Sequence, residues 1–251
     1  MSAVAARAPD ALATFCQAVA DDLRQLAVLH ARELDADTLR ALRAADFPAG
    51  LGLRLDAAVQ PVLAAVRDEV RGWPEPADAG LLDALAADYA AIYLNHSYLA
   101  SPQESVWIDD EGLAMQRSMF QVRAWYRRFG LAVENWRRCP DDHLAHQLQF
   151  IAWLLAERGA DGLTDAARFM DEHLLRWLGR FAERVATRCQ TPFYAGLALL
   201  TERYGERLRD LLAQLLDEPR PSAEEIEERM KPKREVAPVP VRFVPGAAPS
   251  W

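Results

Sequence analysis

The sequence has little of what disulfide-stabilised and nucleotide-binding proteins depend on. Its 251 residues include only three cysteines, Cys16, Cys139 and Cys189, which lie far apart and form no CxxC pair. This pattern argues against a disulfide framework or a structural zinc knuckle, and it fits a reducing compartment. The sequence contains no glycine-rich phosphate loop, nucleophile elbow or dinucleotide-binding fingerprint. We therefore expect no bound cofactor.

Long apolar runs and basic patches are missing as well. No apolar run approaches the roughly 20 residues that span a bilayer, and residues 1–9 lack the apolar core of a signal peptide. The net charge is -8, and no basic stripe is long enough to follow a phosphate backbone. We expect a cytoplasmic protein that neither inserts into a membrane nor binds nucleic acid. The acidic balance suits a cationic partner.

Alanine and leucine dominate what is present, and their spacing predicts an all-α fold. We expect N-caps at Asp10, Asp78 and Thr191, and Pro61 in the first turn of its helix. Residues 118–121 form a predicted capping box, and Asp141 or Asp142 should cap the next helix. The predicted helices run over 10–31, 62–70, 78–93, 118–130, 142–159, 164–189 with a break near Gly179, and 192–218, with a short helix after Asp37.

Two parts of the chain do not follow a helical pattern. Residues 95–117 predict an ordered loop that carries Trp107. Residues 219–251 begin with a glutamate-rich run and continue with five prolines between Pro232 and Pro249, which predicts an extended or mobile tail. The expected organisation is one all-helical domain over 1–218, followed by a tail over 219–251.

The turn at residues 139–143 (CPDDH) is the first candidate site. It precedes a predicted helix, where exposed backbone N–H groups and the helix dipole favour carboxylates, so capping that helix is the simplest role for Asp141 and Asp142. His143 and His146 share one helix face near Cys139, which makes a zinc site geometrically possible. Without an HExxH motif or a second ligand cluster, we expect no metal.

Three short motifs occur in a fixed order along the chain: residues 101–107 (SPQESVW), 126–131 (YRRFGL) and 140–144 (PDDHL). With TPFY at residues 191–194, this order resembles the TorD/DmsD family of cytoplasmic chaperones over about residues 81–216. The resemblance implies a TorD-like helical domain that is not an enzyme. It also implies binding to the twin-arginine signal peptide of a molybdoenzyme, which is held back from export until its cofactor is inserted.

The resemblance further implies which residues bind the client, a molybdenum-containing oxidoreductase subunit. The family loop usually reads Glu-Pro-x-Asp-His; Pro140, Asp142 and His143 match it, and Cys139 replaces the glutamate. The expected binding residues are Trp107, which would line an apolar groove, Glu104 on its acidic rim, and Asp141 together with the three matching residues. The protein is expected to be a monomer or a domain-swapped dimer.

Two other functions remain open at this point. One is a small helical metal-dependent hydrolase that uses His143 and His146 together with Asp142. The other is a non-enzymatic interaction scaffold that acts through the proline-rich tail.

Overall fold

The computed structural model describes residues 7–231, and it describes side chains from residue 11 onward. Most of these residues are in helices. Among these residues, extended backbone pairs only at an isolated bridge between Gln103 and His143, which confirms the all-α prediction. A π-helical turn, Ala90–Leu94, extends α4. The helices are α1 (Arg7–Ala31), α2 (Ala36–Ala44), α3 (Gln60–Gly72), α4 (Ala79–Tyr89), α5 (Glu104–Ile108), α6 (Arg117–Arg128), α7 (Leu144–Arg158), α8 (Leu163–Glu172), α9 (Leu178–Arg188), α10 (Pro192–Leu216) and α11 (Ala223–Met230).

The chain divides into two units after Arg220. The first contains α1 to α10. The second contains α11, which starts at a capping box formed by Ser222 and Glu225. The prediction of an extended segment here was wrong, because these two side chains satisfy the backbone donors of a helix start. The proline-rich segment, and the prediction made for it, lie outside the described residues.

The core of the first unit forms where α1 packs on α7, and where α10 packs on α9 and α3. Leu26 of α1, Ile151 of α7 and Leu200 of α10 are fully buried. Gly196 lets α10 approach α3 closely, since a Cβ at this position would clash with the side chain of Val66. Large apolar side chains at helical spacing therefore form the core, as their periodicity predicts.

Several predicted helix ends are confirmed. Asp78 caps α4 by accepting a hydrogen bond from Leu81 N at 2.7 Å. Pro61 lies in the first turn of α3, and Gly159 ends α7. Thr191 is the N-cap residue of α10, but its hydroxyl donates to Asp88 at 2.6 Å and makes no cap bond.

Other predicted ends were wrong. Helix α1 begins at Arg7, so Asp10 lies inside it. Helix α6 begins after Gln116 without a side-chain cap bond, so no capping box forms at residues 118–121. The break in the 164–189 segment falls at His173, not at Gly179. His173 leaves helical geometry there, and its buried ring meets a carboxylate from α5.

Candidate functional site

Two loops meet where the isolated bridge forms, in front of α5 and α7. Glu104 N donates to the carbonyl of Asp142 at 3.2 Å, and Leu144 N donates to the carbonyl of Pro102 at 2.8 Å. The predicted loop over 95–117 thus contains a short helix, α5, that the sequence did not predict. Backbone pairing brings the two family-like segments, residues 101–107 and 140–144, into one site.

Glu104 lies at the centre of a buried polar cluster. Gln147 Nε2 donates to its Oε2 at 2.7 Å, and His173 Nδ1 lies 3.0 Å from its Oε1. Trp177 Nε1 donates to Gln147 Oε1 at 3.3 Å. All four side chains are fully buried. The prediction of Glu104 as an acidic rim residue was therefore wrong: its carboxylate joins α5 to α7 and to the turn before α9.

Asp142 holds α5 from the opposite loop. Its Oδ2 accepts hydrogen bonds from Ser105 N at 2.8 Å and from Ser105 Oγ at 2.6 Å. Its Oδ1 is buried and has no partner in the described part of the chain. Burial raises the pKa of Asp142 to about 6, although the bonds from Ser105 act to lower it. Ser105 Oγ in turn accepts from Met115 N at 3.1 Å, so Asp142 and Ser105 together anchor the loop after α5.

Asp141 is also buried, and it is paired inside the protein. Arg123 Nη2 donates to its Oδ2 at 2.8 Å, and the Tyr126 hydroxyl donates to its backbone carbonyl at 2.9 Å. The Arg123 guanidinium lies 4.3 Å from the ring centroid of Trp136. Neither aspartate caps α7, and neither carboxylate is at the surface in this structure. An arginine of a partner does not reach them without opening the turn.

His143 is the N-cap residue of α7, a role that the sequence assigned to an aspartate. Its Nδ1 accepts a hydrogen bond from Ala145 N at 3.1 Å. Burial lowers its pKa to about 3, so the ring is neutral at pH 7 and can accept this bond. Pro140, before it, is buried. His146 is also neutral at pH 7, since burial lowers its pKa. No group of three His, Cys, Asp or Glu side chains suited to a metal occurs within the described residues.

Trp107 is half-buried beside two arginines of α9. Its Nε1 donates to the carbonyl of Ser101 at 2.7 Å. The guanidinium carbons of Arg180 and Arg184 lie 5.7 and 5.5 Å from its ring centroid. The immediate surroundings of Trp107 are therefore cationic, which does not suit the arginine pair of a signal peptide.

The loop after α5 combines exposed acidic and apolar side chains. Asp109 organises it by accepting hydrogen bonds from Glu111 N and Leu113 N, both at 3.1 Å. Asp110 and Glu111 are exposed. Three large apolar side chains nearby in the chain are exposed too: Leu113 (47%), Met115 (37%) and Phe120 (54%). We call the exposed residues Asp110, Glu111, Leu113, Met115 and Phe120 the acidic-apolar surface.

A separate cavity of about 460 Å³ lies beside the turn that carries Asp141 and Asp142. Most of its lining is apolar, and Trp107 does not contribute to it. The lining residues are Tyr126, Leu131, Ala132, Val133, Glu134, Asn135, Cys139, His146, Gln149, Phe150 and Trp153. The groove predicted at Trp107 and this cavity are different features.

The buried and the exposed polar groups of the site together define a class of protein. The buried carboxylates and imidazoles bond to side chains and backbone of the protein itself and hold two loops together. Acidic and apolar side chains are exposed in the loop after α5 and at the start of α6. No helix in the described part of the chain is both long enough and apolar enough to cross a bilayer. The arrangement is that of an all-helical binding protein.

Comparison with known proteins is consistent with an all-helical binding protein. A family model described as nitrate reductase delta subunit matches residues 54–183. The chaperone protein TorD of Shewanella loihica is 33% identical over 202 residues, which cover 74% of this chain and 89% of that protein. Chaperone protein YcdY of Escherichia coli is 27% identical over 56% of this chain and 68% of its own length. A probable Tat proofreading chaperone DmsD of Haemophilus influenzae is 29% identical over 49% of this chain and 60% of its own length.

The chain belongs to the TorD/DmsD family of chaperones, as the order of its motifs indicated. These relatives carry chaperone names and no enzyme name, in agreement with the expectation that the protein is not an enzyme. The hydrolase alternative gains no support from these names.

Some residues of the site were not identified from the sequence. Gln147 and His173 were not predicted as partners of Glu104, because they lie 43 and 69 residues away from it in the chain. The exposure of Leu113 and Phe120 was not predicted, since periodicity does not tell which apolar side chains stay exposed. A visible signal was missed on α9, where arginines recur at every fourth position from Arg180.

Proposed function

We propose that this protein is a cytoplasmic chaperone for the catalytic subunit of a molybdenum-containing oxidoreductase. It binds the twin-arginine signal peptide of that subunit and keeps the subunit from export until cofactor insertion and folding are complete. Family membership supports the chaperone role. The single observation that carries the signal-peptide role is the acidic-apolar surface, whose exposed carboxylates and apolar side chains complement the arginines and the apolar core of such a leader.

The proposed contact has two parts. Asp110 and Glu111 are exposed carboxylates that would face the arginine pair. Leu113, Met115 and Phe120 would cover the apolar core that follows the arginines. An exposed ion pair contributes only about 0.2–1 kcal/mol, and covering half of a large apolar side chain about 1 kcal/mol. We therefore infer that the apolar core supplies more of the affinity and that the arginines set the orientation.

Asp142, Glu104 and His143 enter this proposal as positioning residues. Asp142 acts through Ser105 on Met115 N, and the Glu104 cluster holds α5 in place beneath the same loop. Pro140 and Asp141 shape and brace the turn. This role differs from a direct ion pair with the leader, and it is compatible with the substitution of Cys139 for the usual glutamate, since the buried turn does not need a further carboxylate at the surface.

The affinity is expected to be micromolar, because the chaperone must release its client for export. A micromolar Kd corresponds to about 8 kcal/mol, and ordering a flexible leader consumes part of the gross contact energy. Tight, long-lived binding would oppose export.

Co-purification from the native host tests the proposal. The tagged protein is recovered from cells that express a molybdoenzyme subunit with its leader and, separately, from cells in which the leader has been deleted. Recovery of the subunit only with its leader supports the proposal. Failure to recover any molybdoenzyme subunit, or equal recovery without the leader, contradicts the signal-peptide role.

A further inference from the structure

Helix α9 carries a row of three arginines on one face. Arg180, Arg184 and Arg188 recur at every fourth residue, the spacing that places side chains above one another on a helix. Arg180 and Arg188 are exposed, and Arg184 is half-buried. We call these three residues the α9 arginine stripe. They form a local excess of positive charge in a protein whose net charge is -8.

The three guanidinium groups bond to neutral acceptors in one loop. Arg180 Nη2 donates to the carbonyl of Trp107 at 2.6 Å. Arg184 Nη1 donates to the carbonyl of Leu99 at 3.2 Å, and Arg188 Nη1 donates to that of Tyr98 at 2.9 Å. None of the three forms an ion pair with a carboxylate of the described residues, and Glu183 is the only acidic residue of α9.

The stripe retains unused donor capacity. A guanidinium offers five N–H donors, and each recorded contact uses one nitrogen. Carbonyl oxygens are weaker partners for a guanidinium than carboxylates, because a carboxylate carries a full negative charge and can accept two parallel N–H bonds. An acidic ligand can therefore add bonds to the outer nitrogens without displacing the loop.

The spacing of the stripe selects the form of that ligand. Four helical residues rise about 6 Å, so the three arginines are spaced at that interval along α9. In an extended peptide every second side chain points the same way, at a repeat of about 6.6–6.8 Å. Carboxylates at alternate positions of an extended segment thus match three successive arginines.

Apolar surface lies beside the stripe. Leu99, whose carbonyl Arg184 holds, has a side chain that is 64% exposed. The ring of Trp107 lies under Arg180 and Arg184, with its Nε1 already bonded to Ser101. A ligand that alternates carboxylates with aliphatic side chains would meet both kinds of surface.

We propose that the α9 arginine stripe binds an extended acidic segment of a protein partner, in which glutamate or aspartate alternates with other residues and at least one of these is aliphatic. This site has the opposite charge to the acidic-apolar surface and does not suit a twin-arginine leader. The proposal therefore goes beyond the signal-peptide role and does not depend on it.

Calorimetric titration of the full chain with a short peptide that alternates glutamate with leucine and serine tests the proposal. The same peptide with glutamine in place of each glutamate is the matched ligand control. The glutamate peptide is expected to bind, to weaken as salt is raised, and to lose affinity by at least tenfold on conversion to glutamine. Equal affinity for the two peptides would overturn the proposal without any change to the protein.

Variants locate the binding. Arg180→Gln, Arg184→Gln and Arg188→Gln are each expected to weaken the glutamate peptide by about two- to fivefold, and together by roughly tenfold or more. Arg158→Gln is the matched control, since Arg158 also lies over an aromatic ring, that of Phe129 at 5.8 Å, on another helix. An equal loss with Arg158→Gln, or no loss with the triple variant while its helical circular dichroism is unchanged, would overturn the proposal.

Discussion

Replacing Asp142 by asparagine should not destabilise this protein at neutral pH, although the residue lies in the family's recognition motif. Asparagine keeps the shape of the side chain and an oxygen that accepts both hydrogen bonds from Ser105. It removes a negative charge that is fully buried and of which one oxygen has no partner among the described residues. The change therefore separates the hydrogen-bonding role of Asp142 from its charge.

The magnitude follows from the pKa of this carboxyl group, which burial raises from 3.8 to about 6. This rise in the pKa means that the ionised carboxylate destabilises the folded state by about 3 kcal/mol. Because the folded pKa lies above the unfolded one, the stabilisation from the neutral form is fully present below about pH 4 and is lost as pH rises through 6. The neutral side chain of the Asp142→Asn variant should keep this stabilisation at pH 7. The variant should therefore be more stable than the wild type at that pH by up to about 3 kcal/mol.

Urea unfolding of the wild type, Asp142→Asn and Asp142→Ala at pH 4, 6 and 7 measures this directly. The advantage of Asp142→Asn should shrink toward zero at pH 4, where the wild-type carboxyl is neutral as well. Asp142→Ala should be less stable than Asp142→Asn by about 2 kcal/mol or more at each pH, since it leaves two buried donors of Ser105 without an acceptor. If asparagine and alanine both destabilise the protein to the same extent at pH 7, the negative charge itself stabilises the fold, contrary to this prediction.

Three further predictions concern stability. His143→Ala should lower the free energy of unfolding by about 1 kcal/mol through loss of the N-cap. It should also weaken the fall in stability that the wild type shows as pH drops from 6.5 toward 3, because the pKa of this histidine in the folded state lies near 3. Urea titrations across that pH range measure both effects. Gly196→Ala should lower the free energy of unfolding by about 1–3 kcal/mol through its clash with Val66, and an unchanged melting curve, or no recovery on adding Val66→Ala, would contradict this. Arg209→Met should lower the free energy of unfolding by about 3–5 kcal/mol, since it leaves Asp171 as an unpaired buried charge. Adding Asp171→Leu should recover most of this loss, as measured by chemical denaturation. No recovery would show that the broken ion pair is not the cause.

The helical framework was predictable because its signals are local. Helix α10 shows this, since Thr191 and Pro192 mark its start and a leucine-rich stripe follows to its end. Helix α4 shows the same for Asp78 as a cap. Where a second side chain competes, the local signal failed: Thr191 bonds to Asp88 and makes no cap bond, and His143 took the capping role that the two aspartates were expected to fill.

The candidate site was predictable in part. The resemblance brought residues 101–107 and 140–144 together, and the bridge between Gln103 and His143 joins those segments in the structure. Burial was not predictable, because it depends on contacts between distant positions such as Glu104 with His173. The pairing of these two loops thus agrees with the prediction, but the prediction misjudged which of their carboxylates face the solvent.

Binding of a molybdoenzyme leader to the acidic-apolar surface is the basis of the proposed signal-peptide function. Its most direct test is calorimetric titration of the leader peptide of the co-purified subunit into the wild type, Leu113→Ser/Phe120→Ser and the matched control Leu215→Ser, whose side chain is 50% exposed on α10. We expect micromolar binding to the wild type and to the control, and a loss of affinity of about tenfold or more in the double variant. Equal binding to all three proteins would place the leader elsewhere on the molecule, and no binding to the wild type would contradict the signal-peptide function itself.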